Sequence, residues 1–391
     1  MTYEALFARR TLGVRPGLVA VRGVFETLGS PGGSIPAIHV VGTNGKGSIA
    51  AMAEHALRQR GHRTGLFTSP HLQRVTERVR VDGLEVDDTV LEAAIGSVLS
   101  VEGDPSERGR PLSFFELLTI AALIVFEQSG VDVLIVEAGL GGRLDSTRVI
   151  DAQAVAVGRI DLDHQAYLGD TLVEIAAEKA GVFRDRVPVY SVPQHDPVWT
   201  VLERASWDAP CPLRLPEPIA APLPGEHQRY NAGVALAAAQ HLDRSVTPED
   251  IDGTAWPARM ERRAVGNGEW ILDVAHNPAS MEALATVLRG LPLAKTLVIV
   301  SCSADKDAAA MATALGGVGE CWTITDDELG LCPLPGARMF ESLAHPGLEA
   351  SLHEHVEEGG RVVICGSHRL VGAVMGRWLA DGGPPDPSDP R

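Results

Sequence analysis

One junction constrains the fold of this chain more than any other. The apolar run Ile35–Val41 passes directly into Gly42-Thr-Asn-Gly-Lys-Gly-Ser48 and then into the helix-period stretch Gly47–Gln59. A buried strand that ends in a small-residue turn and restarts as a helix is a unit of a parallel α/β sheet. Small residues let the backbone wrap closely around phosphates, and the helix N-terminus offers unpaired N–H groups to an anion. Lys46 can neutralise β/γ-phosphate charge, and Ser48 can ligate Mg²⁺. The general phosphate-loop pattern is met imperfectly, because residue 40 is Val where the first glycine would stand and the hydroxyl comes two residues after Lys46. A plain strand–turn–helix junction would explain the glycines, but not Lys and Ser just inside the helix. Nucleotide binding by Gly42, Thr43, Asn44, Gly45, Lys46, Gly47 and Ser48 is therefore expected.

The alternation continues along the chain. Strands are expected at Ile35–Val41, Thr64–Thr68, Val131–Val136, Ala154–Arg159 and Val187–Val192, with helices at Gly47–Gln59, Phe114–Gln128, Thr171–Gly181 and Gln228–Leu242. This is the pattern of a parallel sheet covered on both faces. A second set follows the loop-like stretch Arg263–Gly268, with strands at Trp270–Val274, Thr296–Ser301, Cys321–Thr325 and Val362–Cys365. With 391 residues, more than one core is expected. The reading is an ATP- and substrate-binding domain over 1–265, a smaller α/β domain over 266–381, and a disordered Pro-rich tail over 382–391.

Composition narrows the class. A formal charge of -17 disfavours non-specific nucleic-acid or anionic-membrane surfaces. The apolar run Leu117–Phe126 is too short to span a bilayer. Cys211, Cys302, Cys321, Cys332 and Cys365 have neither CxxC spacing nor paired histidines, and are read as free thiols of a reducing cytoplasm. The N-terminal MTYEALFARRTLG has no apolar stretch, so no secretory signal is expected.

Gly42-Thr-Asn-Gly-Lys-Gly-Ser48 resembles the phosphate loop of the folylpolyglutamate/dihydrofolate synthases, a branch of the Mur ligase superfamily. Further segments match in the same order over roughly residues 10–375. They are Ser69-Pro-His-Leu72, Glu77-Arg-Val-Arg-Val-Asp-Gly83, Ser113-Phe-Phe-Glu-Leu-Leu-Thr119, and the most specific, Val136-Glu-Ala-Gly-Leu-Gly-Gly-Arg-Leu-Asp145. Asp163-His164, Leu168-Gly-Asp-Thr171, Glu178-Lys-Ala-Gly181, Gly225-Glu-His-Gln228 with Asn231, Trp256-Pro-Ala-Arg259 and Asp273-Val-Ala-His-Asn-Pro278 complete the series. The resemblance implies a P-loop ATPase domain followed by a smaller Rossmann-like domain of Mur ligase type, with ATP between them.

Glu137 stands at the C-terminal end of an apolar strand, where ligands bind in open α/β sheets and where a carboxylate is costly unless paired or metal-bound. It is a candidate Mg²⁺ ligand, the alternative being a loop-capping carboxylate. The resemblance implies a second ligand in His164. Ser69 is a weaker metal candidate, balanced against a turn-forming role. Lys179 reads by itself as a solvated surface lysine, but the matching lysine of the family is carbamylated. Asn231, Arg259, Asp273 and His276 resemble the family's nucleotide contacts. An Arg such as Arg259 can stabilise a transferring phosphoryl group, and Asp or His can orient ribose or phosphate.

The implied chemistry is ATP-dependent amide formation. Phosphoryl transfer turns an unreactive carboxylate into an acyl phosphate, which an amine attacks, with Lys46, Lys179, His164 and Arg259 as catalytic candidates. The expected substrates are dihydropteroate or a reduced folate and L-glutamate, in a cytoplasmic monomer that binds neither nucleic acid nor membrane. Departures from the family's usual pattern fall partly on the acid's side. They include Val75-Thr-Glu-Arg78, Ser146 and Arg148 next to the expected pterin pocket, Gln165, Val274, and Ala258 in place of a glycine. A paralogue acting on another acid is the alternative; a simple NTPase, a kinase and a non-catalytic nucleotide-binding module are weaker ones.

Overall fold

The computed structural model describes residues 2–13, 17–102 and 110–379. The stretch 382–391, expected to be disordered, lies outside the described residues. The chain divides into two compact units: Met1–Pro222 with Gln228–Thr254, and Leu223–His227 with Ala255–Arg391. The second unit thus begins ahead of residue 265, because the strand at Glu261–Val265 pairs with the next one and belongs to its sheet.

The first unit holds an eight-stranded sheet. Its strands are β1 (Ala37–Val41), β2 (Thr64–Phe67), β3 (Val79–Val81), β4 (Leu84–Glu85), β5 (Val133–Glu137), β6 (Ala154–Val157), β7 (Val189–Ser191) and β8 (Leu213–Arg214). The order is β4-β3-β2-β5-β1-β6-β7-β8, parallel except for the β2–β3 and β3–β4 pairs. β1 and β5 are buried at every position, which is why they read as unbroken apolar runs. The helix Phe114–Gln128 is buried on all sides from Glu116 to Phe126, so its long apolar run belongs to the core. Ser113 caps it, its hydroxyl accepting from the Glu116 N–H while the Glu116 carboxylate takes the Ser113 N–H. Among the described residues, no helix is long and apolar enough to cross a membrane.

β2 and β6 flank the β5–β1 pair, and the crossovers from β1 to β2 and from β5 to β6 run in opposite directions across the sheet. The carboxyl ends of β1 and β5 therefore lie at a topological switch point, where open α/β sheets bind ligands.

The second unit holds a six-stranded sheet of β9 (Glu261–Val265), β10 (Gly268–Leu272), β11 (Thr296–Val300), β12 (Glu320–Ile324), β13 (Arg338–Phe340) and β14 (Arg361–Cys365). The order is β13-β12-β11-β14-β10-β9, with only β9–β10 antiparallel. Arg263–Gly268, read from sequence as loop-like, is in fact the end of β9, the turn of this hairpin and the first residue of β10. All the cysteines are free thiols.

Candidate active site

The turn after β1 is built to leave room above it. Gly42 has φ +144°, and a Cβ there would lie 3.0 Å from the Gly158 backbone. Gly45 has φ +86°, and its Cβ would lie 2.8 Å from Asn231 Oδ1. Both positions call for glycine, one for close backbone approach and the other for a left-handed turn. The Thr43 and Asn44 N–H groups donate to the Arg159 carbonyl at 2.8 and 2.9 Å, which pins the turn to the end of β6. Asp161 adds two further ties, its carbonyl accepting from Thr43 Oγ1 at 3.0 Å and its carboxylate from Asn44 Nδ2 at 2.9 Å. The helix then runs from Lys46 to Gln59, and its first intrahelical bond is from Ile49 N–H to Gly45 at 2.9 Å. The N–H groups of residues 46–48 precede that bond and, among the described residues, donate to no backbone carbonyl, as an anion cradle requires.

Around this cradle the structure gathers most of the sequence candidates of the first unit. Lys46 Nζ donates to the Thr43 carbonyl at 3.2 Å and lies 3.9 Å from Glu137 Oε1. The other Glu137 oxygen accepts the Ser69 N–H at 3.1 Å, so Glu137 and Ser69 adjoin at the ends of β5 and β2. Ser48 is buried, and its hydroxyl accepts from Gln228 Nε2 at 3.2 Å; Gln228 in turn accepts from Asn231 Nδ2 at 2.9 Å. Gln228 is thus a site residue that its motif contained without singling it out.

Lys179 is not the solvated lysine that its surroundings in sequence first suggest. It is 4% exposed, and its Nζ donates to the Gly42 carbonyl at 2.9 Å. Burial, with the charge of Lys46 adding to it, lowers its ammonium to about 7, against the opposing pull of Asp163 and Asp145. Asp145 is itself buried, and burial raises its carboxyl although it accepts from the Leu140 and Thr147 N–H groups at 2.7 and 3.0 Å. Those bonds shape the loop after β5 and dock it on the helix carrying Lys179, with Arg143 paired to Glu178 at 2.7 Å. His164 sits in the left-handed region at φ +51°, and its N–H donates to the Asp163 carboxylate at 2.8 Å. It is therefore placed through Asp163, which is close enough to act on Lys179.

In the second unit, Arg259 lies between two residues held in the left-handed region, Ala258 at φ +53° and Met260 at φ +51°. The glycine for which Ala258 substitutes thus has a conformational reason. The strap is fastened by Asp273, whose carboxylate accepts the Met260 N–H at 2.9 Å and the Ala275 N–H at 2.8 Å. Burial raises the Asp273 carboxyl, while Arg259 and His227 pull the other way. Arg259 Nε is buried with no hydrogen-bond partner among the described residues, a costly arrangement that an incoming acceptor would relieve. His276 is oriented by its own loop, with Nδ1 2.8 Å from the Val274 carbonyl and its N–H donating to Ser280 Oγ at 3.0 Å. Its ring centre is 5.2 Å from that of His368, which no sequence pattern marked. Asn277 and Pro278 start the following helix, so part of this motif is helix capping.

Comparison with known proteins gives a consistent picture. The Mur ligase glutamate ligase domain matches residues 258–368. The chain is 33% identical over 380 residues to the dihydrofolate synthase/folylpolyglutamate synthase of Escherichia coli, covering 86% of this chain and 85% of that protein. It is 32% identical to a probable bifunctional folylpolyglutamate synthase/dihydropteroate synthase of Haloferax volcanii, matching over 95% of this chain but spanning only half of that protein's length. Among solved structures, Mycobacterium tuberculosis folylpolyglutamate synthase complexed with ADP and AMPPCP superposes with a TM-score of 0.87 at 27% identity, covering 98% of this chain and 100% of that one. E. coli FolC in complex with DHPP and ADP gives 0.85 at 28% identity, covering 96% and 97%. The chain belongs to the folylpolyglutamate synthase/dihydrofolate synthase family of ATP-dependent ligases, and its second unit carries the Mur ligase C-terminal domain.

Proposed function

We propose that this chain joins the carboxylate of dihydropteroate or a reduced folate to the amine of L-glutamate, at the expense of ATP and through an acyl phosphate. The observation that carries this is the Lys46–Glu137 pair beside the glycine cradle, at 3.9 Å, with Ser69 on the far side of the carboxylate. A cation for the phosphates and an acid for a metal stand side by side at the switch point. Solved relatives described as holding ADP and AMPPCP, or Mn, AMPPNP and L-glutamate, support the choice of nucleotide, metal and amino acid.

In this reading residues 42–48 hold the triphosphate, with Lys46 against the transferring phosphoryl group. The residues present fit a divalent cation, since Glu137 and Ser48 are buried oxygens at the mouth of the loop. Ser48, Ser69, Glu137 and His164 are its proposed ligands. Bound there, Mg²⁺ would spread the charge that builds on the phosphate oxygens. Arg259 meets an acceptor on the nucleotide through its unpartnered Nε, and Asp273 holds the strap that aims it. His276 and Asn231 complete the nucleotide contacts. None of these groups needs to act as a nucleophile. The acid's oxygen attacks the γ-phosphorus, ADP leaves, and the amine then displaces phosphate from the acyl carbon while losing a proton. Positioning and charge neutralisation supply most of the acceleration.

Lys179 is proposed to carry a carbamate. Its depressed ammonium makes the free amine available near neutral pH. The amine adds to CO₂ with loss of a proton, turning a buried cation into an anion that stays hydrogen-bonded to Gly42.

The test is ADP release with Mg²⁺ and ATP against a panel of acids and amines. Release that depends on dihydropteroate and L-glutamate supports the reading. Acid-dependent release with folates inert would transfer the activity to another acid, and release without any acid would remove the ligase reading.

A further inference from the structure

Two cysteines of the second unit face each other. Cys302 follows β11, and Cys332 lies between β12 and β13. The Cys302 N–H donates to the Cys332 carbonyl at 3.1 Å, and the Cys332 N–H donates to the Cys302 carbonyl at 2.7 Å. The two residues are therefore directly opposed in an antiparallel bridge. Such a pair has its Cα atoms about 5.5 Å apart and both side chains on one face. A disulfide spans Cα separations of about 4.4–6.8 Å, so the backbone already meets that requirement. Both flanks of the bridge are pinned to β12. Ser301 Oγ accepts the Ile324 N–H at 2.9 Å and donates to the Ile324 carbonyl at 2.8 Å, and the Leu334 N–H donates to Thr323 Oγ1 at 3.2 Å. The other cysteines are not placed this way. Cys321 and Cys365 lie on β12 and β14 with β11 between them, two strand spacings or about 10 Å apart, beyond the reach of a bond. Cys211 belongs to the first unit.

The two thiols differ in access. Cys302 is buried, and burial, with Cys332 and Asp305 adding to it against the charge of Lys306, raises its thiol to about 11. Cys332 is only partly buried. An external reagent therefore meets Cys332 first, and Cys302 reacts from within. The chain between them starts at the carboxyl end of β11, the end at which open parallel sheets bind ligands. It carries Lys306, whose mostly buried Nζ lies 3.2 Å from Asp305 Oδ2.

We infer that Cys302 and Cys332 form a thiol–disulfide exchange site that takes a low-molecular-weight disulfide and closes into an internal disulfide, clipping the loop that follows β11. The inference is independent of the ligase reading. The Cys332 thiolate attacks one sulfur of the small disulfide, forming a mixed disulfide and expelling one thiolate. Cys302 then loses its proton and attacks Cys332 Sγ, expelling the second thiolate. Two protein thiols are oxidised, one small disulfide is reduced to two thiols, and the cysteine protons end on the expelled sulfurs. A hydrogen-bonded pair holds its Cβ atoms about 4.5–5.5 Å apart, wider than the ~3.8 Å of a relaxed disulfide. Closure must draw the two segments together, so the bond is readily reduced and acts as a reversible clip rather than a permanent staple.

The experiment treats the full chain, folded and reduced, with oxidised glutathione, quenches in acid, alkylates the remaining thiols and maps the peptides by mass spectrometry. The expected product has lost two alkylatable thiols, carries a Cys302–Cys332 cross-link and no glutathione, and regains both thiols in dithiothreitol. Cys302→Ser should stop at a mixed disulfide between Cys332 and glutathione, and Cys302→Ala reads the same step if serine is not tolerated at the buried position. Cys332→Ser should leave Cys302 alkylatable once the quenched chain is unfolded. Glutathione that stays on Cys332 of the unmodified chain, a cross-link joining other cysteines, or Cys302 and Cys332 both remaining alkylatable would overturn the inference.

Discussion

Lys179→Met removes an ionisable group that folding buries to 4% exposure, and leaves the packing volume nearly unchanged. The ammonium falls from 10.5 to about 7 on folding, which at ~1.4 kcal/mol per pH unit is a cost of roughly 5 kcal/mol when the site must hold a charge. Between those two values the unfolded chain carries a proton that the folded chain does not. Stability contributed by this site is therefore lowest below pH 7 and rises with pH up to about 10.5. Methionine carries no such cost, but it gives up the bond to the Gly42 carbonyl, worth about 1 kcal/mol. The variant should gain roughly 4 kcal/mol at pH 6, and the gain should vanish near pH 10. Urea unfolding at several pH values in CO₂-free buffer reads both slopes. Amide formation should fall by ~100-fold or more if the lysine or its carbamate steadies the transferring phosphoryl group. An unchanged pH slope in the variant would refute the assignment of a depressed ammonium, and so the ground for carbamate formation.

Other outcomes follow from the same geometry. Lys46→Ala and Glu137→Ala should each lower amide formation by ~1,000-fold or more while leaving the far-UV spectrum intact; retained turnover in either would remove that residue from the site. Gly45→Ala puts a methyl 2.8 Å from Asn231 Oδ1 at φ +86°. It should cost ~1–3 kcal/mol and weaken ATP binding, as calorimetry would show. Ala258→Gly should be near neutral, because relief of the left-handed strain is offset by the lost methyl and by a looser unfolded chain. Ala258→Val should cost ~2–3 kcal/mol, and thermal melts separate the two.

The parts of the fold visible in the sequence are those in which local pattern and tertiary role agree. Helix Phe114–Gln128 was legible to the residue because Ser113 and Glu116 cap it and its apolar face never breaks. Buried strands such as β1 and β5 announced themselves as apolar runs between turns. The β9–β10 hairpin did not. Residues 262–264 of β9 are exposed, so the strand has no inside and outside to alternate between, and Arg263–Gly268 reads as loop. β3 and β4, at three and two residues, are too short to show a period.

The site divides along the same line. The cradle glycines and Lys46 carry their chemistry in their spacing. Gln228 and Asp161 act only because the fold brings them to Ser48 and to Thr43 and Asn44, across 180 and 117–118 residues of chain. The burial of Lys179 has the same origin, since a helix-end lysine on a polar stretch gives no sign that its head reaches under the phosphate loop. The substitutions at Ser146 and Arg148 find local partners: Ser146 Oγ lies 2.8 Å from Thr119 Oγ1, and Arg148 donates to the Arg143 carbonyl at 3.1 Å.

The central claim is that ATP activates the acid as an acyl phosphate before the amine arrives, and hydroxylamine tests it most directly. Incubated with Mg²⁺, ATP, dihydropteroate and hydroxylamine but no glutamate, the enzyme should release ADP and form the dihydropteroyl hydroxamate in equal amounts, and Lys46→Ala should form neither. ADP released without hydroxamate, or at the same rate without dihydropteroate, would contradict it.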